Sequence, residues 1–153
     1  MTKYYYKVLS KDESNNLCSV AVRNTQYKVI YEVGKPTRGL NDTGGLFVFK
    51  ELSQARVFKN DNIAAYYIYK CSVKNPRPLK YRASVYSSEI RVFWKKYNKF
   101  RSKHKKFISD INIEWECPRG TYLVSELTLV EEVSWQVIII KLYKAVVTNM
   151  YQQ

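Results

Sequence analysis

The stretch YYIYKCSV, residues 66–73, carries the clearest strand pattern in the chain and sets the first expectation about the fold. From Tyr67 to Val73, every second position is aromatic, thiol or aliphatic, and Ile, Lys and Ser occupy the positions between them. Such alternation is typical of a β-strand whose two faces meet different surroundings. A single strand is not stable alone, so the surrounding sequence has to supply the rest of a sheet.

Further strand-like segments lie on both sides of this stretch. The segment INIEWEC (111–117) alternates in the same way, and LFVF (46–49) is wholly apolar, as expected for a strand that is buried on both faces. The residues 34–45 and 74–82 are predicted as connections, because Gly or Pro punctuates them. The remaining predicted strands are 4–10, 17–22, 27–33 and 122–133, and a short helix is predicted over 51–60.

One segment, RVFWKKYNKFRSKHKKF at 91–107, stands apart through its composition. It holds eight Lys or Arg, one His and five aromatic residues, and it has no carboxylate. Ser87, Ser88 and Glu89 precede it and offer a helix N-cap and a first-turn acid. On a helical wheel of 89–109, the apolar residues fill an arc of about 140° and most of the cations fill the opposite arc. We therefore predict a long amphipathic helix whose aromatic face packs on the core.

Together these segments predict an α+β fold: a mostly antiparallel sheet with one long amphipathic basic helix and one or two short helices. The apolar stretch VIIIKLYKAVV (137–147) fits either a strand or a packed helix, and its spacing favours the helix. No internal repeat or linker-like segment divides the chain, and 153 residues is an ordinary length for one domain. We predict a single domain over 1–153.

The positive charge is concentrated in one part of the chain. The net charge is +13, and residues 70–106 hold thirteen Lys or Arg against one acid, Glu89. A helix with only a structural role usually interleaves Glu among its cations, because like charges at i and i+4 repel. The sequence therefore predicts contact with nucleic acid or another polyanion. The predicted contact residues are Arg91, Lys95, Lys96, Lys99, Lys103 and Lys106 on the helix, with Lys74, Arg77, Lys80 and Arg82 upstream.

The residues leave other interpretations of this helix open. Its cations could form an ordinary solvated face, dock an acidic protein partner in a structural or virion assembly, or approach an anionic membrane surface. His104 lies among aromatic residues on the wheel, which is more typical of a packed histidine than of a catalytic one. The Tyr residues of the predicted strands could stack on bases, although strands favour Tyr for its packing alone.

Several classes of protein are not expected. Cys18, Cys71 and Cys117 are odd in number and widely spaced, which predicts reduced thiols in an intracellular protein and no zinc site. The start MTKYYYKVLS is too polar for a signal peptide, and Lys141 and Lys144 interrupt the longest apolar run well short of a membrane span. No P-loop or catalytic triad pattern is legible, so we predict a non-enzymatic protein without a cofactor.

Three pieces of the chain, taken together, have a familiar pattern. They are TGGLFVFKELSQARVF (43–58), YYIYKCSVKNPRPL (66–79) and IEWECPRGTYLVSELTLVEEV (113–133). Their pattern resembles a small domain in proteins of large DNA viruses and phages, over roughly residues 3–133. The resemblance implies a viral protein, placed in the host cytoplasm or nucleus or in the virion.

The same pieces are faintly similar to the core of the ADP-ribosyltransferases. In that family a strand leads into a short helix, and the core closes with an E-x-E motif ahead of a P-x-G-T turn. The matching residues here are Glu114 and Glu116, followed by Pro118-Arg119-Gly120-Thr121. As an alternative to polyanion binding, the resemblance implies an ADP-ribosyltransferase-like fold, active or degenerate. In the active form the carboxylates would be catalytic and NAD would be the substrate. The strand YYYKVLS departs from the family, because it has no Arg or His with which to grip NAD.

Overall fold

The computed structural model describes residues 3–20, 22, 26–61, 65, 67–79, 81–82, 87–101 and 115–133. Within these ranges, residues 81–82, 87–89, 96, 99–101 and 115–116 are described by their backbone alone. The strands in these ranges are β1 (Tyr5–Lys11), β2 (Leu17–Ser19), β3 (Ile30–Tyr31), β4 (Pro36–Arg38), β5 (Leu46–Phe49), β6 (Tyr67–Lys74), β7 (Arg77–Pro78), β8 (Tyr81–Arg82), β9 (Trp115–Glu116), β10 (Thr121–Val124) and β11 (Glu126–Glu132). The helices in these ranges are α1 (Leu52–Asn60) and α2 (Ser87–Arg101).

One large sheet organises the described residues. Its main path runs β4-β11-β6-β1-β5-β10-β7, and β2 and β3 are added beside β1. Every pairing between these strands is antiparallel, and β8 and β9 form a separate antiparallel pair. The predicted architecture, a mostly antiparallel sheet with few helices, is therefore confirmed.

Strand β6 lies in the middle of this sheet, between β1 and β11. Its alternate residues Tyr69 and Cys71 are buried in one apolar cluster, and Tyr67 and Val73 pack against that cluster from partly buried positions. Ile68, on the opposite face, is buried in a second cluster that includes residues of α1. The period-2 pattern of the sequence is thus confirmed, and both faces of the sheet are covered at this strand.

Strand β1 changes partners along its length, and this change splits the sheet. Near its start, Tyr6 pairs with Phe49 of β5, and this is the one register pair between the two strands. From Leu9 onward, β2 takes the same edge, with Leu9 opposite Ser19. Strands β5 and β2 therefore diverge from a shared neighbour, and a gap opens between them.

Helix α1 packs on one face of the sheet, as its apolar spacing predicts. A reciprocal capping box between Glu51 and Gln54 begins the helix, within one residue of the predicted start. Ala55 is completely buried, and Leu52 and Phe58 pack beside it against the second cluster. The small side chain at the contact lets the helix approach the strands closely.

The predicted strand 122–133 is wrong in one respect, because the chain breaks it at Ser125. Before the break, β10 pairs with β5 and β7; after it, β11 pairs with β6 and β4. The backbone N–H of Ser125 donates to the carbonyl of Lys74 at 3.1 Å and holds the crossover in place. The segment predicted as one strand thus forms two strands, which lie in different parts of the sheet.

Other boundaries also differ from the prediction. The predicted connection 74–82 contains β7 and β8, and in the described part of the predicted strand 17–22 only Leu17–Ser19 form a strand. In the described part of the predicted strand 27–33, only Ile30–Tyr31 pair as a strand, and the predicted connection 34–45 contains β4. The predictions for 102–114 and for the apolar segment after residue 133 lie outside the described residues.

Candidate functional site

Helix α2 docks on the sheet through aromatic side chains. Ile90, Phe93 and Trp94 are each about 5% exposed or less and form a third apolar cluster with Leu123 of β10. The ring of Trp94 stacks on Phe47 of β5, with centroids 5.7 Å apart and an interplanar angle of 26°. Aromatic pairs of this geometry stabilise by about 0.5–1.5 kcal/mol beyond the area they bury. The helix is therefore anchored beside the gap between β5 and β2.

The loop before β5 fits closely against α2. Gly44 lies under the rings of Trp94 and Tyr97, and a Cβ atom at this position would overlap both rings. The side-chain amide of Asn98 donates to the carbonyl oxygen of Asp42 at 2.9 Å. A glycine and one amide therefore set the distance between the loop and the helix.

The opposite side of α2 carries exposed cations. Arg91 and Lys95 lie one turn apart on it, and both are exposed. Neither forms an ion pair with an acid in the described residues. Val92, 48% exposed, shares this side. The side chains that α2 buries and those that it exposes thus differ in chemistry as well as in position.

The acids that form ion pairs in the described residues are paired with cations outside α2. Glu126 of β11 accepts hydrogen bonds from Arg38 of β4 and Lys74 of β6, each at 2.7 Å, and both partners are its direct cross-strand neighbours. The two partners, Lys74 first and then Arg38, hold the pKa of this carboxyl below its usual range. Lys74, one of the predicted contact residues, is therefore already matched by a carboxylate.

The other predicted contact residues fall into three groups. Arg77 is half-buried on β7, and its Nε atom is buried without an acceptor among the described residues. Lys96 and Lys99 lie on α2 and Arg82 on β8, with the backbone alone described. Lys80, Lys103 and Lys106 lie outside the described residues, as does His104, which was predicted as a packed histidine.

The alternative catalytic pair cannot be placed as a pair. Glu116 lies on β9, opposite Tyr81 of β8, with its backbone alone described. Glu114 lies outside the described residues. The transferase interpretation therefore stays a prediction from the resemblance.

A cavity of about 120 Å³ lies in the gap of the sheet, beneath α2. Its walls come from β1, β2, β5, the inward side of α2, the segment after β2 and the loop before β5. Residues of α1 and of the segment that leads into β10 also line it. Most of the described lining is apolar, including Val8, Val20, Phe47, Phe93 and Trp94. Sequence reasoning did not predict this cavity, because it depends on where β1 exchanges one partner for another.

Lys7 is the charged residue in the described lining of this cavity. It is 5% exposed, and its Nζ atom donates to the carbonyl oxygen of Phe47 at 2.7 Å. The ring centroid of Tyr31 lies 5.3 Å from Nζ. Burial lowers the pKa of Lys7 from 10.5 to about 8, although Cys71 acts in the opposite direction.

A signal for Lys7 was present in the sequence. Lys7 alternates with Tyr5 and Leu9 in YYYKVLS, so a strand that turns those two residues inward also turns Lys7 inward. Tyr5 and Leu9 are 3% and 0% exposed, which identifies that face as the buried one. A lysine between two core positions of a strand is thus itself evidence of an unusual site.

No family model, curated protein or solved structure matches this chain.

In the part of the chain that the structure describes, no helix is both long and apolar enough to cross a membrane. Nor do these residues group three His, Cys, Asp or Glu side chains as a metal site would require. The geometry of α2 and of the cavity is therefore what indicates a function.

Proposed function

We propose that this protein binds nucleic acid or another polyanion through the exposed side of α2. The observation that carries the proposal is the pair Arg91 and Lys95, exposed on a helix whose other side is committed to the core. The acids that form ion pairs in the described residues engage cations elsewhere in the chain. Positive potential at α2 is therefore left for a partner.

The physical basis is the release of counterions from a phosphate backbone. Each Lys or Arg that neutralises a phosphate frees condensed cations, so the affinity falls steeply as salt is added. Such contacts do not depend on sequence and need only an exposed, rigidly held row of cations. The stacking of Trp94 on Phe47 supplies the rigid support at α2.

The proposal extends along the helix by periodicity. Lys99 and Lys103 continue the i, i+4 row that Arg91 and Lys95 begin, and Lys96 and Lys106 flank it on the wheel. If six cations contact phosphates, log K falls with log[salt] with a slope of about −5. Lys74 contributes less in this proposal, because a phosphate would have to displace Glu126 from it.

Fluorescence anisotropy with labelled duplex DNA, single-stranded DNA and RNA over a salt series tests the proposal. The double variant Arg91→Glu/Lys95→Glu is expected to weaken binding to all three and to reduce the steepness of the salt slope by about 2. The matched control is Lys3→Glu/Lys35→Glu, which changes the net charge equally at two exposed positions away from α2.

The comparison of the two double variants shows whether binding depends on the cations of α2 or only on the net charge of the protein. Equal weakening in the two double variants would mean that net charge alone drives binding, and would overturn the assignment to α2. Affinity that does not change with salt, or no binding to any of the three probes at low salt, would overturn the polyanion proposal itself.

A further inference from the structure

The cavity beneath α2 has the size and chemistry of a binding site for one small ring. An apolar cavity of about 150 Å³ takes up benzene, and the cavity found here is somewhat smaller, at about 120 Å³, so it has room for no more than one ring. Phe47, Phe93 and Trp94 line it from two elements, Val8 lines it from β1, and Val20 lines it from the segment after β2. An apolar ring would contact aromatic and aliphatic side chains on several sides.

One feature distinguishes this cavity from an apolar void: it has a single buried cation. Neither Asp nor Glu occurs in its described lining, and Lys7 forms no ion pair with an acid in the described residues. The hydrogen bond to Phe47 uses one of the three N–H groups of an ammonium. Burial of a charge without an opposite charge is costly, so the site favours an anion that brings one.

We propose that the cavity binds a small carboxylic acid with an apolar ring, in which the carboxylate pairs with Nζ of Lys7 and the ring packs in the gap between β5 and β2, against the inward side of α2. This site is separate from the exposed side of α2. A compact carboxylate fits better than a phosphate, because a doubly charged group would leave more charge unmatched among apolar walls.

A structural role for Lys7 is the competing explanation. Where β1 and β5 part, the Phe47 carbonyl faces a gap in the ladder, and the Lys7 ammonium supplies its donor. That role needs a donor but no ligand, and it predicts no selectivity between an acid and a neutral molecule of the same shape. The two explanations therefore differ in a measurable way.

The pH dependence of binding follows from the groups around Lys7. Tyr31 of β3 and Cys71 of β6 face it, Cys18 of β2 acts on Tyr31, and Tyr27 and Cys117 line the cavity. Burial raises the pKa of Tyr31 and raises that of Cys71 to about 12, so both stay neutral when Lys7 titrates near 8. Affinity for a carboxylate is expected to be constant below about pH 7 and to fall about tenfold per pH unit well above 8.

Isothermal titration calorimetry with benzoate, and with benzyl alcohol as the neutral molecule of similar shape, tests this site. Benzoate is expected to bind the wild-type protein more tightly than benzyl alcohol, and Lys7→Met to weaken benzoate by about tenfold or more. The matched control is Lys11→Met, on the same strand face, where the cation lies over Tyr67 outside the described lining. That control is expected to bind benzoate as the wild type does.

A measurement on the wild-type protein covers the case in which Lys7→Met does not fold. At pH 8, benzoate binding is expected to take up about half a proton, because the ligand returns Lys7 to its charged form, and at pH 6.5 almost none. Titrations in buffers of different ionisation enthalpy give this number directly.

The outcomes separate the explanations. Absence of benzoate binding, or equal affinity for the alcohol, would each overturn the proposal in favour of a structural lysine. Because Lys7 is buried away from Arg91 and Lys95, its replacement is expected to leave the binding of nucleic acid unchanged. Failure of one proposal is thus distinguishable from failure of the other.

Discussion

Lys7 of β1 and Lys95 of α2 carry the same ammonium group in two different surroundings. Lys95 is exposed on the outer side of α2, where water solvates its charge and salt screens it. Lys7 is 5% exposed beneath α2, among aromatic and aliphatic side chains, and its pKa falls to about 8. The difference shows that burial, and not residue type, sets how a lysine is solvated and how readily it loses its proton.

The two sides also differ in what holds them in place. The inner side of α2 is bound by ring stacking and by the close approach of Gly44. At the outer side, Arg91 and Lys95 form no ion pair with an acid in the described residues, so their replacement removes little packing. Changes on the inner side should therefore alter stability, and changes on the outer side should alter binding.

The largest expected effect on stability is at Trp94, in contrast to its neighbour Lys95 on α2. Trp94→Ala should lower the free energy of unfolding by about 3–5 kcal/mol, because it empties a buried site and removes the stack on Phe47. Lys95→Ala should change it by less than about 0.5 kcal/mol. Urea denaturation of both variants measures the contrast. A similar loss in the two variants would contradict the assignment of inner and outer sides.

A smaller effect is expected where the loop meets the helix. Gly44→Ala should cost about 1–3 kcal/mol, because the new Cβ overlaps the rings of Trp94 and Tyr97 and pushes α2 outward. The control is Gly34→Ala, which has a positive φ of 80° but no atom within 4 Å of the added Cβ, and should cost about 1 kcal/mol through backbone strain.

Tryptophan fluorescence distinguishes these two glycine variants. Gly44→Ala is expected to shift the emission, because it disturbs the contact at Trp94, and Gly34→Ala is expected to leave the emission unchanged. An emission shift in both variants, or in neither, would contradict a specific fit between Gly44 and α2.

The third prediction concerns stability and pH. The folded pKa of Lys7 is below its unfolded value, so between the two the unfolded state binds more protons and stability rises with pH. From pH 7 to pH 9, the free energy of unfolding of the wild type should rise by about 1.3 kcal/mol relative to Lys7→Met.

The same comparison has an internal control. Lys11→Met keeps Lys7 and should follow the wild type through this pH range. The raised pKa values of Tyr31 and Cys71 make the free energy of unfolding fall with pH at still higher pH. All the variants share this effect, so it cancels when their free energies are subtracted. Parallel curves for the wild type and Lys7→Met would show that Lys7 does not titrate in this window.

Much of the local structure was predictable because it depends on near neighbours in sequence. The alternation in YYIYKCSV identified β6, and LFVF became β5, with residues in clusters on both faces of the sheet. Apolar spacing and flanking polar residues placed α1 correctly. Helix α2 begins at Ser87, within the predicted starting segment 87–89, and the predicted cap stays a prediction. The viral origin and the transferase similarity stay predictions.

Long-range contacts were not predictable from these patterns. Lys74 was assigned to the basic patch by its sequence neighbours, but Glu126, 52 positions later in the chain, lies opposite it on the next strand. The run 122–133 has one uniform pattern, and only the crossover at Ser125 shows that it serves two regions of the sheet. A pattern specifies which faces are apolar but not which strand lies next to which.

Side-chain periodicity was sufficient to identify many of the strands, and it held the signal that Lys7 shares a face with Tyr5 and Leu9. The sequence also shows directly that positive charge is concentrated in one segment. The cavity, the contact of Lys7 with Phe47 forty positions away, and the capture of Lys74 by Glu126 exist only once the chain is folded. The physical reason is that periodicity is a property of a few consecutive residues. Solvation and charge pairing, in contrast, depend on neighbours that only folding brings together.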